Sequence, residues 1–191
     1  MTGQFLEDGA APERSSTLPE AVIRPARLDD HARIGELTVA AYVDGGHLSA
    51  DDPYISQLAD VAYRAEHGEL IVAEVDGVVA ASAVIAWPGD ALAELARGTE
   101  MEFRMLSVAP AFQGRGIART MVRHLIGRAE QAGAEGIVLC SLVSMTAAHR
   151  LYRSEGFVED PSRDLVITRE QHGKDARFPF FGRPVGRLRS P

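Results

Sequence analysis

Two apolar runs, LIVAEV (70–75) and VVAASAVIAW (78–87), flank the dipeptide Asp76-Gly77. An Asp-Gly link between such runs predicts a β-hairpin, because both residues tolerate the positive φ its turn demands. EMEFRMLSV (100–108) alternates with period two and predicts a third strand. Beyond it, 109–115 reads as a loop and Gly116 to Ala132 as an amphipathic helix. Ile117, Met121, Leu125 and Ala129 form its apolar stripe, while Arg115, Arg119 and Arg123 recur four apart on a different face. GIVLCSLV (136–143) is a nearly continuous apolar run, the pattern of a buried strand, and a helix from Met145 to Ser154 follows, stopped by Gly156.

The first third is less regular. A short strand is predicted at 21–27. A helix capped by Asp29 or Asp30 runs to Val43, and a second spans Tyr54 to Glu66, with the Gly- and Asp-rich 44–53 between them as a loop. Pro88 to Thr99 is a connection, and the tail segments FVEDPSRDLVIT and RFPFFG add two strands. Residues 1–20 mix Gly, Pro, Ser and Glu without periodicity and read as a flexible tail ahead of a single domain at 21–191. The order β-α-α-β-β-β-α-β-α-β-β predicts a mixed α/β (α+β) domain with helices on the faces of a mixed sheet, not a doubly wound nucleotide fold.

Composition narrows the function. The 191 residues are 46% hydrophobic and 25% charged, with a net charge of −7. That charge argues against nucleic acid as the main partner. No run reaches the roughly 18 apolar residues of a membrane helix. The start lacks the basic and apolar segments of a signal peptide, so a cytoplasmic location is expected. The one cysteine, Cys140, excludes an intrachain disulfide and is expected to be buried and inert. The histidines show no metal-ligand spacing, so no metal is expected.

The informative chemistry lies at Leu106–Ile126. A strand ends at Val108, and a loop bearing Gly114 and Gly116 turns straight into a helix. The first turn of a helix carries unpaired N–H groups and partial positive charge, and Arg115 and Arg119 add cations beside it. The arrangement suits a phosphate or pyrophosphate, although glycines before a helix are also common for structural reasons. A Walker loop is excluded, since the only lysine is Lys174. A dinucleotide fingerprint would need glycine where Arg119 stands.

QGRGIA (113–118) resembles the acyl-CoA signature R/Q-x-x-G-x-G/A of the GNAT superfamily of N-acyltransferases, and AAHRLYRSEGF (147–157) resembles that family's second signature, A-x-x-L-Y-x-x-x-G-F. The resemblance implies a mostly antiparallel, splayed central sheet. It implies that acetyl-CoA lies in the cleft as acyl donor, its pantetheine arm beside Leu106 and Val108. The pyrophosphate would sit on Gln113, Gly114, Arg115, Gly116, Ile117 and Ala118, with Arg119 nearby. It also implies direct transfer of the acetyl group to a primary amine on a small molecule or peptide, and a possible homodimer.

Tyr152 matches the family tyrosine near the cofactor sulfur and would assist the leaving thiolate; otherwise it simply packs with Leu151 and Phe157. Glu102 matches the glutamate that serves as general base in one branch. Strand alternation places it on the face of Arg104, Leu106 and Val108, toward the cleft, with Glu100 as a fallback; otherwise it pairs with an arginine. Met145 stands where the family often has a cofactor-contacting Asn, and Ser144 is expected to cap the helix and partly replace that contact. His149 is expected to face solvent. His47, Asp51, Asp52 and Tyr54 fall on the side that shapes the acceptor site in this family, and their acidity hints at a cationic amine. A non-catalytic acyl-CoA-binding sensor or interaction module is the alternative.

Overall fold

The computed structural model describes residues 21–167 and 176–186. The predicted tail at 1–20 lies outside them. Strand β1 (Val22–Pro25) is followed by α1 (His31–Val43), α2 (Tyr54–Ala59) and α3 (Val61–His67). The hairpin strands are β2 (Glu69–Val75) and β3 (Val78–Ala86), and β4 (Met101–Val108) leads to α4 (Ile117–Gln131). Then come β5 (Gly136–Cys140), α5 (Thr146–Ser154), β6 (Val158–Glu159), β7 (Leu165–Ile167), β8 (Ala176–Phe178) and β9 (Phe180–Pro184).

Seven strands form one sheet in the order β1-β2-β3-β4-β5-β9-β6, and β7-β8 is a separate hairpin. Every pairing is antiparallel except β4 with β5. Asp76 (φ 52°) and Gly77 (φ 78°) make the expected hairpin turn. On one face, Ile117, Met121, Leu125 and Ala129 of α4 are sealed against Ile71, Ala73, Ile85, Met101 and Phe103. Each large side chain so buried contributes roughly 1.5–3 kcal/mol. On the other face, Ile34 and Leu37 of α1 and Val61 of α3 cover Leu70, Val72, Val84 and Ala86.

The expected helix at 54–66 is two helices. Asp60 leaves the helical region (φ −78°, ψ 77°), and its carboxylate accepts a hydrogen bond from the Tyr63 amide, capping α3. The C-terminal segments supply four short strands in place of two, because Pro161, Pro179 and the polar residues between break the apolar pattern.

Ionic clips tie the elements together. Arg24 bonds Asp30 and Glu74, Arg163 bonds Glu100, and Glu155, just past the end of α5, bonds Arg119 and Arg123 of α4. Hydrogen bonds from Arg24 hold the Asp30 carboxyl below its ordinary value, and those from Arg123 and Arg119 do the same for Glu155. For Glu100, burial is the largest single influence and pushes upward, but the bonds and charge of Arg163 together with the Arg97 amide bring the net shift downward. A depressed folded-state pKa means that the unfolded chain binds protons first as pH falls. The stabilisation is therefore complete above the unfolded values of about 4 and is lost as pH drops through the folded ones. Thermal melts should show a midpoint that declines below about pH 4, and Asp30→Asn should flatten part of that decline.

Candidate active site

Strands β4 and β5 pair only at Met101↔Ile137 and Glu102↔Val138. Beyond that point they part, and the expected splay is present. A bulge deepens it. Met105 sits at φ +52°, and the β3 register slips so that Ser82 and Val84 face Ser107 and Arg104. A non-glycine residue in that region costs about 1–2 kcal/mol.

The bulge overturns one expectation. With an extra residue in the strand, alternation reverses, so Leu106 and Val108 pack with the cluster of Met101 and Phe103, the opposite face from Glu102 and Arg104. Leu106 and Val108 thus lie on the α4 face of the sheet, while Glu102 and Arg104 belong to the other.

At the end of β4, Gln113 Nε2 donates to the Val108 carbonyl at 3.2 Å and holds the loop against the strand. Gly114 (φ 73°) and Gly116 (φ 81°) are both left-handed, and Gly116 is the N-cap of α4. A Cβ at Gly114 would meet nothing within 4 Å, so this backbone faces open space. The N–H groups of Ile117, Ala118 and Arg119 lack intrahelical acceptors by the geometry of a first turn. Arg115 lies 5.1 Å over the Phe112 ring and makes no ion pair among the described residues. Arg119 is instead engaged with Glu155, so its charge is partly committed to the α4–α5 contact.

Tyr152 is buried, its ring edge-on to Phe103 and tilted against Phe157 and Phe181. Burial pushes its hydroxyl pKa well up, keeping it protonated. Two neighbours on α5 differ from expectation. Ser144 does not cap the helix; the N-cap is Met145, which has no side-chain cap bond, and Ser144 Oγ lies 3.0 Å from His47 Nδ1. His149 is buried against Phe181 at 4.9 Å between ring centroids, and burial lowers its pKa. Its apolar-facing position follows from α5 packing on β9. Met145 lies under Ser141, whose hydroxyl is 3.6 Å from its sulfur.

A pocket of about 310 Å³ opens where β4 and β5 part. His47, Asp52 and Tyr54 line it, whereas Asp51, expected beside them, does not. Tyr42, Glu94, Arg104, Met105 and the β7–β8 hairpin also line it, and none of these was found from the sequence. Glu94 sits in an irregular connection with no motif to flag it. Cys140 lines the pocket and is half-buried; burial pushes its thiol up to about 12, so it stays protonated.

Glu102 is fully buried and is not on the pocket wall. Its Oε2 accepts from the amides of Glu94, Leu95 and Ala96 at 2.9, 2.8 and 3.1 Å. Oε1 is buried without a hydrogen bond, 3.9 Å from Arg104 Nε. Burial raises the pKa of this carboxyl against the opposing pull of those amides and Arg104. So enclosed, Glu102 shapes the wall that carries Glu94 and has no exposed oxygen. Glu100 is bonded to Arg163 and the Arg97 amide and also lies off the pocket. Glu102→Gln would set an amide NH₂ or a weaker acceptor against three N–H donors, and a stability loss of about 1–3 kcal/mol is expected. Denaturant unfolding of the two proteins measures it.

Comparison with known proteins agrees with this geometry. A search of curated proteins finds no match. Among solved structures, the Salmonella typhimurium protein yncA, determined with its cofactor acetyl-CoA, is 22% identical with a TM-score of 0.61, over 90% of this chain and 98% of that one. A GNAT family acetyltransferase from Brucella melitensis, in complex with acetyl-CoA, is 28% identical with a TM-score of 0.54, over 73% and 84%. The ribosomal-protein-S18-alanine N-acetyltransferase from Escherichia coli is 20% identical with a TM-score of 0.58, over 87% and 94%. The family model for GNAT acetyltransferases matches residues 32–157, which span both signatures, the bulged strand and the glycine loop, and the chain belongs to the acetyltransferase (GNAT) family.

Proposed function

We propose that this protein is an N-acetyltransferase that uses acetyl-CoA as donor and transfers the acetyl group directly to a primary amine. One coincidence carries the reading: a left-handed glycine turn at the N-terminus of α4 stands beside the strand parting, and Tyr152 lies buried close by. The 28% identical Brucella protein, solved with acetyl-CoA, supports the choice of donor. Bound there, acetyl-CoA supplies an activated acyl carbon.

The residues of the chain fit that donor. Amides of residues 113–118 and the first turn of α4 would receive the pyrophosphate, with Arg115 free to add charge. The unpaired edge of β4 near Leu106 and Val108 would receive the pantetheine, and an amide there would face the developing oxyanion. Tyr152, kept protonated by burial, would give its proton or a hydrogen bond to the departing thiolate. An acceptor ammonium must first lose a proton, and with Glu102 enclosed we assign that transfer to water at the pocket mouth. Cys140, kept as a thiol, takes no part as nucleophile. No metal is required by any of these roles.

Two measurements test the reading. Acetyl-CoA at about 100 times its dissociation constant should stabilise the protein by roughly 2.7 kcal/mol, a rise of several degrees. Gly114→Ala should diminish that rise, because alanine strains the left-handed turn on which the amides are displayed. No rise with acetyl-CoA in the unsubstituted protein would sink the proposal. Tyr152→Phe retains the ring packing, so a fall in kcat of about a hundredfold with little change in the KM for acetyl-CoA would isolate the hydroxyl. Unchanged kcat would remove Tyr152 from the chemistry.

A further inference from the structure

The water assigned above to the acceptor's proton must pass it on to a base, and the pocket wall supplies few. Of the ionisable groups there, Tyr42 and Tyr54 are held protonated by burial, and Cys140 stays a thiol for the same reason. Arg104 is a cation without a lone pair. Glu94 is paired with Arg104 at 2.8 Å, and Asp52 Oδ1 accepts the Tyr54 amide at 3.0 Å. Carboxylates are weaker bases than imidazole in any case. The remaining ionisable group among the described lining residues is His47, and histidine is the side chain that exchanges a proton between about pH 5 and 8.

Three devices hold His47 in place. Its amide and that of Leu48 both donate to the Tyr42 carbonyl at the end of α1, at 2.9 and 3.1 Å. Its ring is seated on Gly45. A Cβ there would stand 2.9 Å from the ring Cδ2, 3.1 Å from Nε2 and 2.4 Å from the Ala41 carbonyl oxygen, so only glycine leaves the ring its space. Nδ1 lies 3.0 Å from Ser144 Oγ, 97 positions along the chain. That contact joins the loop after α1 to the residue before the N-cap of α5, the helix that carries Tyr152. The pocket wall also reaches Tyr152 itself, since Tyr42 and Cys140 lie within electrostatic range of its hydroxyl.

We propose that His47 is the proton acceptor of the transfer. Ser144 Oγ accepts from Nδ1–H, and Nε2, which makes no hydrogen bond among the described residues, takes a proton from the acceptor ammonium through the water at the pocket mouth. This rests on the acetyltransferase reading above and adds its base. One ammonium proton goes to Nε2 and from there to solvent. The freed nitrogen lone pair forms the N–C bond, and the C–S bond breaks with its electron pair going to sulfur. The thiolate takes a proton from Tyr152, and the second nitrogen proton, relayed by water, restores that hydroxyl. Neutral imidazole is required at the start, so acetylation of an ammonium acceptor falls as acid protonates the ring. Asp44 and Asp51 stand on the same loop as His47, and Asp52, Glu94 and Arg104 share its pocket, so the acid limb reports the ring in their combined field.

Phenethylamine and O-benzylhydroxylamine are matched probes, alike except that oxygen replaces the methylene next to nitrogen. At neutral pH the first arrives as an ammonium and the second as a free amine. With acetyl-CoA and thiol release as readout, His47→Gln, which keeps a hydrogen-bonding group for Ser144, should lower kcat/KM for phenethylamine by about a hundredfold or more. The rate with O-benzylhydroxylamine should change far less, and the KM for acetyl-CoA not at all. Added imidazole should restore part of the phenethylamine rate, and the deficit should shrink as rising pH supplies free amine. Nitrogen NMR of histidine-labelled protein should place the proton of the neutral His47 ring on Nδ1. A purely structural role would lower both acceptors together. That result, an unchanged phenethylamine rate, or a neutral ring protonated on Nε2 would overturn the assignment. If neither amine is acetylated, hydrolysis of acetyl-CoA by water takes their place, and equal hydrolysis by the two proteins overturns it. A thermal rise with acetyl-CoA beside any of these failures leaves the donor reading standing, whereas no rise ends both.

Discussion

Two backbone pairings join β4 to β5, and the site exists because the pairing stops there. Parallel strands that continued in register would close the sheet and leave no edge for a ligand. The separation is maintained from both sides. Above the last pair, the left-handed residue Met105 inserts an extra position into β4 and turns the strand away. Across the gap, β5 ends at Cys140 and the chain is drawn off, with the Ser141 amide bonded to the Pro179 carbonyl. The strain at Met105 is of the kind that persists where the surrounding packing over-determines it.

Glu102 stands at that last pair and works in the opposite direction, pulling structure inward. Its carboxylate gathers three consecutive amides of the irregular 94–96 segment. Without such an acceptor those N–H groups would be buried unpaired, at a cost comparable to lost hydrogen bonds. The single residue that closes the turn therefore also decides where the Glu94 side chain points. Arg104, two positions along the same strand, then fixes the Glu94 carboxylate. A glutamate that resembles a general base in sequence thus acts on the pocket through the residues it holds.

How much of this was legible in the sequence follows from what each feature leaves in the residue pattern. The hairpin at Asp76-Gly77, the stripe of α4 and the two signatures are local, and each is written in residues a few positions apart. The Met105 bulge leaves no such trace. Leu106 and Val108 are apolar on either face, so the pattern reads as unbroken alternation and assigns the wrong face to everything beyond it. The break at Asp60 was hidden because apolar positions resume in α3 at helical spacing, and only the capping carboxylate marks the interruption. His149 was misplaced because α5 is short and its covering strand, β9, comes thirty residues later in the chain. The pocket itself draws on α1, α2, β4, β5 and the β7–β8 hairpin, a set of long-range contacts that no window of sequence contains.

The two sides of the strand parting are built from different materials. The glycine turn and the strand parting rest on the central sheet and the 15-residue α4, whose stripe is sealed in the main core. The outer side of the pocket rests on α2 of six residues, α3 of seven and a separate two-stranded hairpin. Helices that short have little stability of their own. Here they are joined by Arg64, which is 1% exposed and donates to the Leu58 carbonyl at 2.7 Å and to Thr38 Oγ1 at 3.4 Å. A buried guanidinium bound to neutral acceptors ties α1, α2 and α3 without drawing on the core under the sheet. Lining residues such as Leu48, Gln57 or Phe178 can therefore change while the sheet keeps the strand parting intact. The architecture separates the outer wall of the pocket from the helix and sheet that carry the glycine turn.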